Sequence, residues 1–137
     1  LLRINSFDDL ISHPHVGASW EGWVIEQILT FLNNRGIQYN GPHYLRTNDG
    51  YEIDLIIALS GTTYAIEIKL TTSPSPADIK RLTKTAALIG NVTAVLISRS
   101  PAHIEGDKVL STNLRMFLKY LEASRKTVAG SGLRVPG

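Results

Sequence analysis

Cysteine is absent from the 137 residues. That excludes a disulfide framework and any thiolate-ligated zinc site, and it fits a reducing compartment, so cytoplasm is the expected location. No apolar run approaches the roughly 18 residues a membrane-spanning helix needs. No basic-then-apolar leader is visible either, and a soluble protein with no membrane partner is expected. Charge of one sign is scarce: 14 Lys and Arg against 12 Asp and Glu give a formal +2, which permits nucleic acid as a partner without announcing it. The chain has no Gly-x4-Gly-Lys-Ser/Thr phosphate loop and no nucleophile elbow around a serine. P-loop ATP binding and a hydrolytic triad are therefore removed from the reading of this stretch.

What is present is a hydrophobic fraction of 43% with 19% charged residues, the composition of a globular α/β domain. One domain over 1–125 is expected, followed by a flexible tail over 126–137, where G-S-G-L-R-V-P-G lacks periodicity. The chain opens on Leu1 and is read as a piece of a longer protein.

The order of elements follows from periodicity and punctuation. Ser6-Phe7-Asp8-Asp9 resembles a capping box opening a short helix through Ile11, and His13-Pro14-His15 then reads as a loop rather than a metal site. Gly17 to Asn34 is the clearest helix, stopped by Gly36. On its wheel Glu21 falls within the stripe of Val24, Ile25, Ile28 and Leu32, whereas Glu26 lies on the polar side; Trp20 and Trp23 read as packing residues. Three strands follow, His43 to Thr47, Tyr51 to Leu59 and Thr62 to Leu70, joined by Asn48-Asp49-Gly50, read as a primed hairpin turn, and by Ser60-Gly61. Ser75-Pro76-Ala77-Asp78 combines an N-cap serine, a proline in the first turn and an acid at the third position, so a helix starts there and runs to Gly90. Val92 to Ser98 suits a buried strand beside the third one. Pro101 to Gly106 reads as loop, Lys108 to Leu110 as an edge strand and Thr112 to Ala123 as a last helix.

The chemistry concentrates between Tyr51 and Leu70. Glu67 and Lys69 are two residues apart and share one face of a strand, with Ile66, Ile68 and Leu70 on the other. Asp54 stands among Ile53, Leu55, Ile56 and Ile57, where a lone carboxylate is costly unless a cation compensates it. Two carboxylates and a lysine on adjacent strands are the raw material of a divalent-metal site. The rival reading is structural: Glu67 and Lys69 neutralise each other, and Asp54 pairs with Arg46 across the hairpin. Lys80 and Lys84, one turn apart on the following helix, are candidates for contact with a nucleic-acid backbone, against a solvated face as the plainer alternative.

Glu21 on an inward helix, Asp54 after a hairpin turn, Glu67-Ile68-Lys69 on the next strand and a helix beyond resemble the PD-(D/E)xK nuclease superfamily. The stretches H-P-H-V-G-A-S-W-E-G-W-V-I-E-Q-I-L, Y-L-R-T-N-D-G-Y-E-I-D-L-I-I and A-I-E-I-K-L are similar to one branch of it, the C-terminal domain fused to AAA+ ATPases in prokaryotes. The resemblance covers about His13 to Leu121. It implies a restriction-endonuclease-like α/β fold with an αβββαβ core, a mixed sheet flanked by helices, and metal-dependent hydrolysis of DNA phosphodiesters. It also implies Mg²⁺ or Mn²⁺ held by Asp54, Glu67 and the Ile68 carbonyl, with Glu21 acting through water or completing a second site. Lys69 would orient the attacking species and stabilise developing charge. Ile53 stands where the superfamily's name has proline. Some branches carry a glutamine or lysine on the following helix, and Lys80 is the candidate for that place. The implied partners are DNA and the AAA+ ATPase module of the same full-length chain, and a homo-oligomer is compatible with the reading. The alternative function is a catalytically silent module of the same fold that binds DNA or regulates the attached ATPase.

Overall fold

The structure, a computed structural model, describes residues 4–6 and 19–133. Ser6 ends a short strand, β1 (Ile4–Ser6), where a helix start was expected; the rest of that expected helix, with His13 and His15, lies outside the described residues. Helix α1 spans Trp20–Asn34 and begins where Ser19 Oγ accepts the Gly22 N–H at 3.0 Å. Gly22, Val24, Ile25, Ile28 and Leu32 form its buried stripe. Its end is a Schellman arrangement: Ile37 N–H donates to Leu32 O at 2.9 Å, Gly36 N–H donates to Asn33 O at 3.1 Å, and Gly36 takes φ +64°.

Strands β2 (Asn40–Arg46), β3 (Glu52–Leu59) and β4 (Thr62–Ile68) then run as an antiparallel meander. The β3–β4 turn is primed, as Ser60 and Gly61 both have positive φ (52° and 78°). The β2–β3 turn differs from expectation. Asp49 is not among the residues with positive φ, Gly50 N–H closes on Thr47 O at 3.2 Å, and only Gly50 of the three turn residues is left-handed, at 90°. A type I turn followed by a left-handed glycine joins these strands, because one glycine supplies all the positive φ this longer loop needs.

Helix α2 (Pro76–Ile89) carries the expected capping box: Ser75 Oγ accepts the Asp78 N–H at 3.2 Å, and Asp78 Oδ2 accepts the Ser75 N–H at 2.8 Å. It crosses to β5 (Thr93–Ile97), which pairs in parallel with β4. Strand β6 (Ile104–Gly106), read in the sequence as loop, pairs with β7 (Val109–Thr112), which lies parallel to β5. All three β6 residues are exposed, so no alternation of burial marks it in the sequence. Helix α3 spans Leu114–Leu133, past the expected end at Ala123. No proline interrupts Leu114–Leu133, so nothing there breaks the helical ladder.

The result is a mixed α/β fold, a seven-stranded sheet among the described residues in the order β1-β2-β3-β4-β5-β7-β6, with helices packed on both faces. One apolar cluster joins Val24, Ile28, Phe117 and Leu121 of α1 and α3 to Leu55, Ile57, Ile66, Ile68, Val95 and Ile97. The other joins Leu82 and Ala86 of α2 to Ile56, Ala65, Ala94 and Leu96. Strand β4 therefore alternates cleanly between the two. Ile53 belongs to the second cluster although Leu55 belongs to the first, so alternation breaks at Asp54, beside the register shift between His43 and Leu45 in the β2 pairing. No helix among the described residues is long and apolar enough to cross a membrane.

Candidate functional site

The β3–β4 pairing ends at Leu55 with Ile66, and the next residues of the two strands are Asp54 and Glu67. Both carboxylates line one cavity of about 530 Å³, together with Glu21 from the first turn of α1 and with Ile68 and Lys69 from the end of β4. These four side chains thus line one cavity, the grouping that the resemblance implied. Glu21 sits half-buried beside the apolar stripe of α1 rather than within it, and Glu26 is exposed. Of the two tryptophans, Trp20 packs against the core while Trp23 is 47% exposed, so the expectation of packing fails for Trp23. It lies two positions from Glu21, off the buried stripe.

Asp54 is the most constrained of these groups. Its Oδ2 accepts the Ile68 N–H at 2.8 Å, and its Oδ1 lies 3.8 Å from Arg46 Nη2. Burial pushes its carboxyl up to about 6; the Ile68 N–H and Arg46 oppose that rise, and the Glu52 and Glu21 carboxylates add to it. Glu67 is also raised, first by burial and then by Asp54, with Lys69 and Arg81 pulling the other way. Its Oε2 is buried and has no hydrogen-bond partner. Two adjacent carboxylates held in a poorly solvated place, one with an orphaned oxygen, form a pair that a cation would relieve.

The cations are arranged differently from either sequence reading. Half of the structural alternative holds, since Arg46 does pair with Asp54; it also lies 3.9 Å from Glu52 and donates to the Leu45 and Ile53 carbonyls at 3.0 and 3.4 Å. The other half does not. Lys69 Nζ makes its ion pair with Asp78 Oδ1 at 3.3 Å, at the start of α2. The Lys69 main chain is fixed by its N–H to Ile97 O at 2.9 Å. Arg81, which sequence reasoning passed over, lines the carboxylate cavity, whereas Lys80 and Lys84 line a neighbouring one. The helix position facing the carboxylates is therefore Arg81, not Lys80. No signal in the helical period singles out Arg81; it shares a side of α2 with Asp78, and which side faces the carboxylates is set by how α2 crosses the sheet.

The residues that could hold a divalent ion are few. No group of three or more His, Cys, Asp or Glu is gathered tightly enough to hold a metal by itself among the described residues. Two carboxylates remain. Mg²⁺ dehydrates reluctantly and is commonly bound through one or two carboxylates with water filling the rest, so the donor set suits a hard, oxygen-preferring ion that keeps much of its hydration.

Residues 16–117 match the family described as a domain of unknown function, DUF4143. The chain belongs to this family. Glu21, Asp54, Glu67, Lys69 and Arg81 all fall within the matched DUF4143 stretch. Two similar proteins, both carrying the description uncharacterized, come from Mycobacterium bovis and Mycobacterium tuberculosis; each is 41% identical over 78 residues. The aligned part is 55% of this chain and 17% of each relative, so the DUF4143 chain spans a small part of those longer proteins. No solved structure matches the chain.

Proposed function

We propose that this DUF4143 chain is a metal-dependent nuclease-like domain that hydrolyses DNA phosphodiesters. In this reading it has the restriction-endonuclease-like αβββαβ core of the PD-(D/E)xK superfamily and is joined, in the full-length protein, to an AAA+ ATPase module. One observation carries the reading: Asp54 and Glu67, from neighbouring strands, line one cavity together with Glu21 and Lys69. The order α1, β2, β3, β4, α2, β5 supports it.

Asp54, Glu67 and the Ile68 carbonyl would hold Mg²⁺ or Mn²⁺, with Glu21 reached through water. When bound, the ion supplies Lewis-acid polarisation of a phosphate oxygen and a more acidic water. The protein's own part is placement and charge. The unpartnered Glu67 Oε2 is an acceptor for a proton of the attacking water. Lys69 at the lip offers its ammonium to the charge that develops on phosphorus, a contribution of about 3 kcal/mol for a preorganised donor. Arg46 keeps the Asp54 carboxylate oriented from the side opposite the Ile68 N–H.

A second reading, a catalytically silent module of this fold that docks DNA or regulates the attached ATPase, is favoured by the Lys69 ammonium being engaged by Asp78. The two separate in one experiment. Plasmid, single-stranded and branched DNA are incubated with the chain, and with the full-length protein that carries it, in Mg²⁺ or Mn²⁺, beside Asp54→Ala and Lys69→Ala. Cleavage that falls by roughly 100-fold or more in both variants is expected. Binding without cleavage by the unmodified protein would support the silent module instead.

A further inference from the structure

The cavity next to the carboxylate site has the opposite electrical character. It has a volume of about 430 Å³, lies between the β2–β3 turn and α2, and presents Lys80, Arg81 and Lys84 against the single acid Asp49. The carboxylate cavity holds four acids, Glu21, Glu52, Asp54 and Glu67, against Arg46, Lys69 and Arg81. Arg81 belongs to both. Its guanidinium is fixed in place by donating to Gly50 O at 3.1 Å, which ties α2 to the turn and leaves this cation on the wall between the two spaces. Asp49 offsets part of this charge. Hydrogen bonds from the Thr47 side chain and its own main-chain N–H lower its pKa and keep it ionised, one acid against three cations. Lys80 and Lys84, one helical turn apart, are exposed on the face that borders this space.

A polyanion entering the carboxylate cavity meets repulsion from its acids, so something beside that cavity has to hold it. We propose that the Lys80–Arg81–Lys84 cavity is a separate phosphate subsite, which takes the nucleic-acid backbone flanking the scissile bond, with Arg81 as the shared cation. The inference rests on the nuclease-like reading of the neighbouring site and adds to it where the flanking backbone is anchored. The recognised chemistry is the phosphodiester backbone, whose charge the two lysines and the arginine complement.

The test is binding separated from cleavage. A fluorescein-labelled DNA duplex is titrated with the chain carrying Asp54→Asn, in metal-free buffer over a range of salt, and compared with the same chain bearing Lys80→Ala and Lys84→Ala. A matched control removes two cations elsewhere, Arg115→Ala with Lys119→Ala, both exposed on α3. The expected result is that the Lys80/Lys84 pair weakens binding at least tenfold at low salt. It should also flatten the slope of log affinity against log salt by roughly 1.8, at about 0.9 for each duplex phosphate that the protein no longer neutralises. The α3 control should leave that slope within about 0.5 of the parent's value, less than one phosphate's share. Equal effects of the two pairs, or no binding by the Asp54→Asn parent, would overturn the subsite. Nuclease activity is read separately on the chain with Asp54 intact: lysine-dependent binding without cleavage refutes the nuclease reading and leaves the subsite standing, and cleavage indifferent to the two lysines does the reverse.

Discussion

Asp54 carries a cost in the metal-free protein that can be measured. Its folded-state value of about 6 lies above the ordinary 3.8, so between these pH values the folded chain holds a proton that the unfolded chain has released. Stability contributed through this group therefore falls as pH rises from about 3.8 to 6 and stays at its lower level above that. The gap corresponds to about 3 kcal/mol at roughly 1.4 kcal/mol per pH unit. Glu67 is raised for the same first cause, burial, and tilts stability in the same direction. Asp54→Asn keeps an acceptor for the Ile68 N–H and removes the charge; the ion pair it loses is with an Arg46 side chain that is 38% exposed, and is worth little. Urea denaturation without metal should find this variant more stable than the parent at pH 7, by about 1–3 kcal/mol. The two should converge below pH 4. A parent whose stability rises relative to that of Asp54→Asn between pH 4 and 6 would contradict this account of the carboxylate.

At the scale of elements, α2 is where fold and site meet. Its capping box uses Asp78 twice, Oδ2 on the Ser75 N–H and Oδ1 on Lys69, so one residue both starts the helix and tethers the ammonium. Ser75→Ala removes the side-chain acceptor of the Asp78 N–H, which also donates to the Ser75 carbonyl, and should cost about 1 kcal/mol of stability by denaturant titration. An unchanged midpoint would mean that the cap does not hold the helix start. Elements with their own periodicity or punctuation were legible in the sequence: α1, the β3–β4 hairpin with its Ser60-Gly61 turn, and α2 with its cap. β6 was not, because an exposed three-residue edge strand is defined only by its pairing with β7. The end of α3 was misjudged because the tail lacks periodicity, yet its Gly130 and Gly132 lower helix propensity without forbidding the helical backbone. Asp54 was legible as a carboxylate among apolar neighbours and Glu67 through strand alternation, while the wheel brought Glu21 to the inward side of α1 but not to its exact place beside the stripe. What a strand and a helix do to each other across a crossover was not: the pairing of Lys69 with Asp78 and the substitution of Arg81 for Lys80 depend on where α2 crosses the sheet.

For the whole molecule, the sheet divides two apolar cores, and the acidic cavity lies at one end of it, where α1, β3, β4 and α2 come together. This placement makes the site dependent on the assembled fold, so a ligand there should stabilise the folded state as a whole. Binding at a hundred times Kd adds about 2.7 kcal/mol. The melting temperature would rise by roughly 8–10 °C for a domain of this size. The most direct measurement is thermal unfolding at pH 7 with increasing Mn²⁺, for the unmodified chain, Asp54→Asn and Glu67→Gln. The parent should melt progressively higher as the ion is added, while both variants, Asp54→Asn starting above the parent, should stay where they began. An equal rise in all three, or none in the parent, would contradict a metal-binding pair at Asp54 and Glu67.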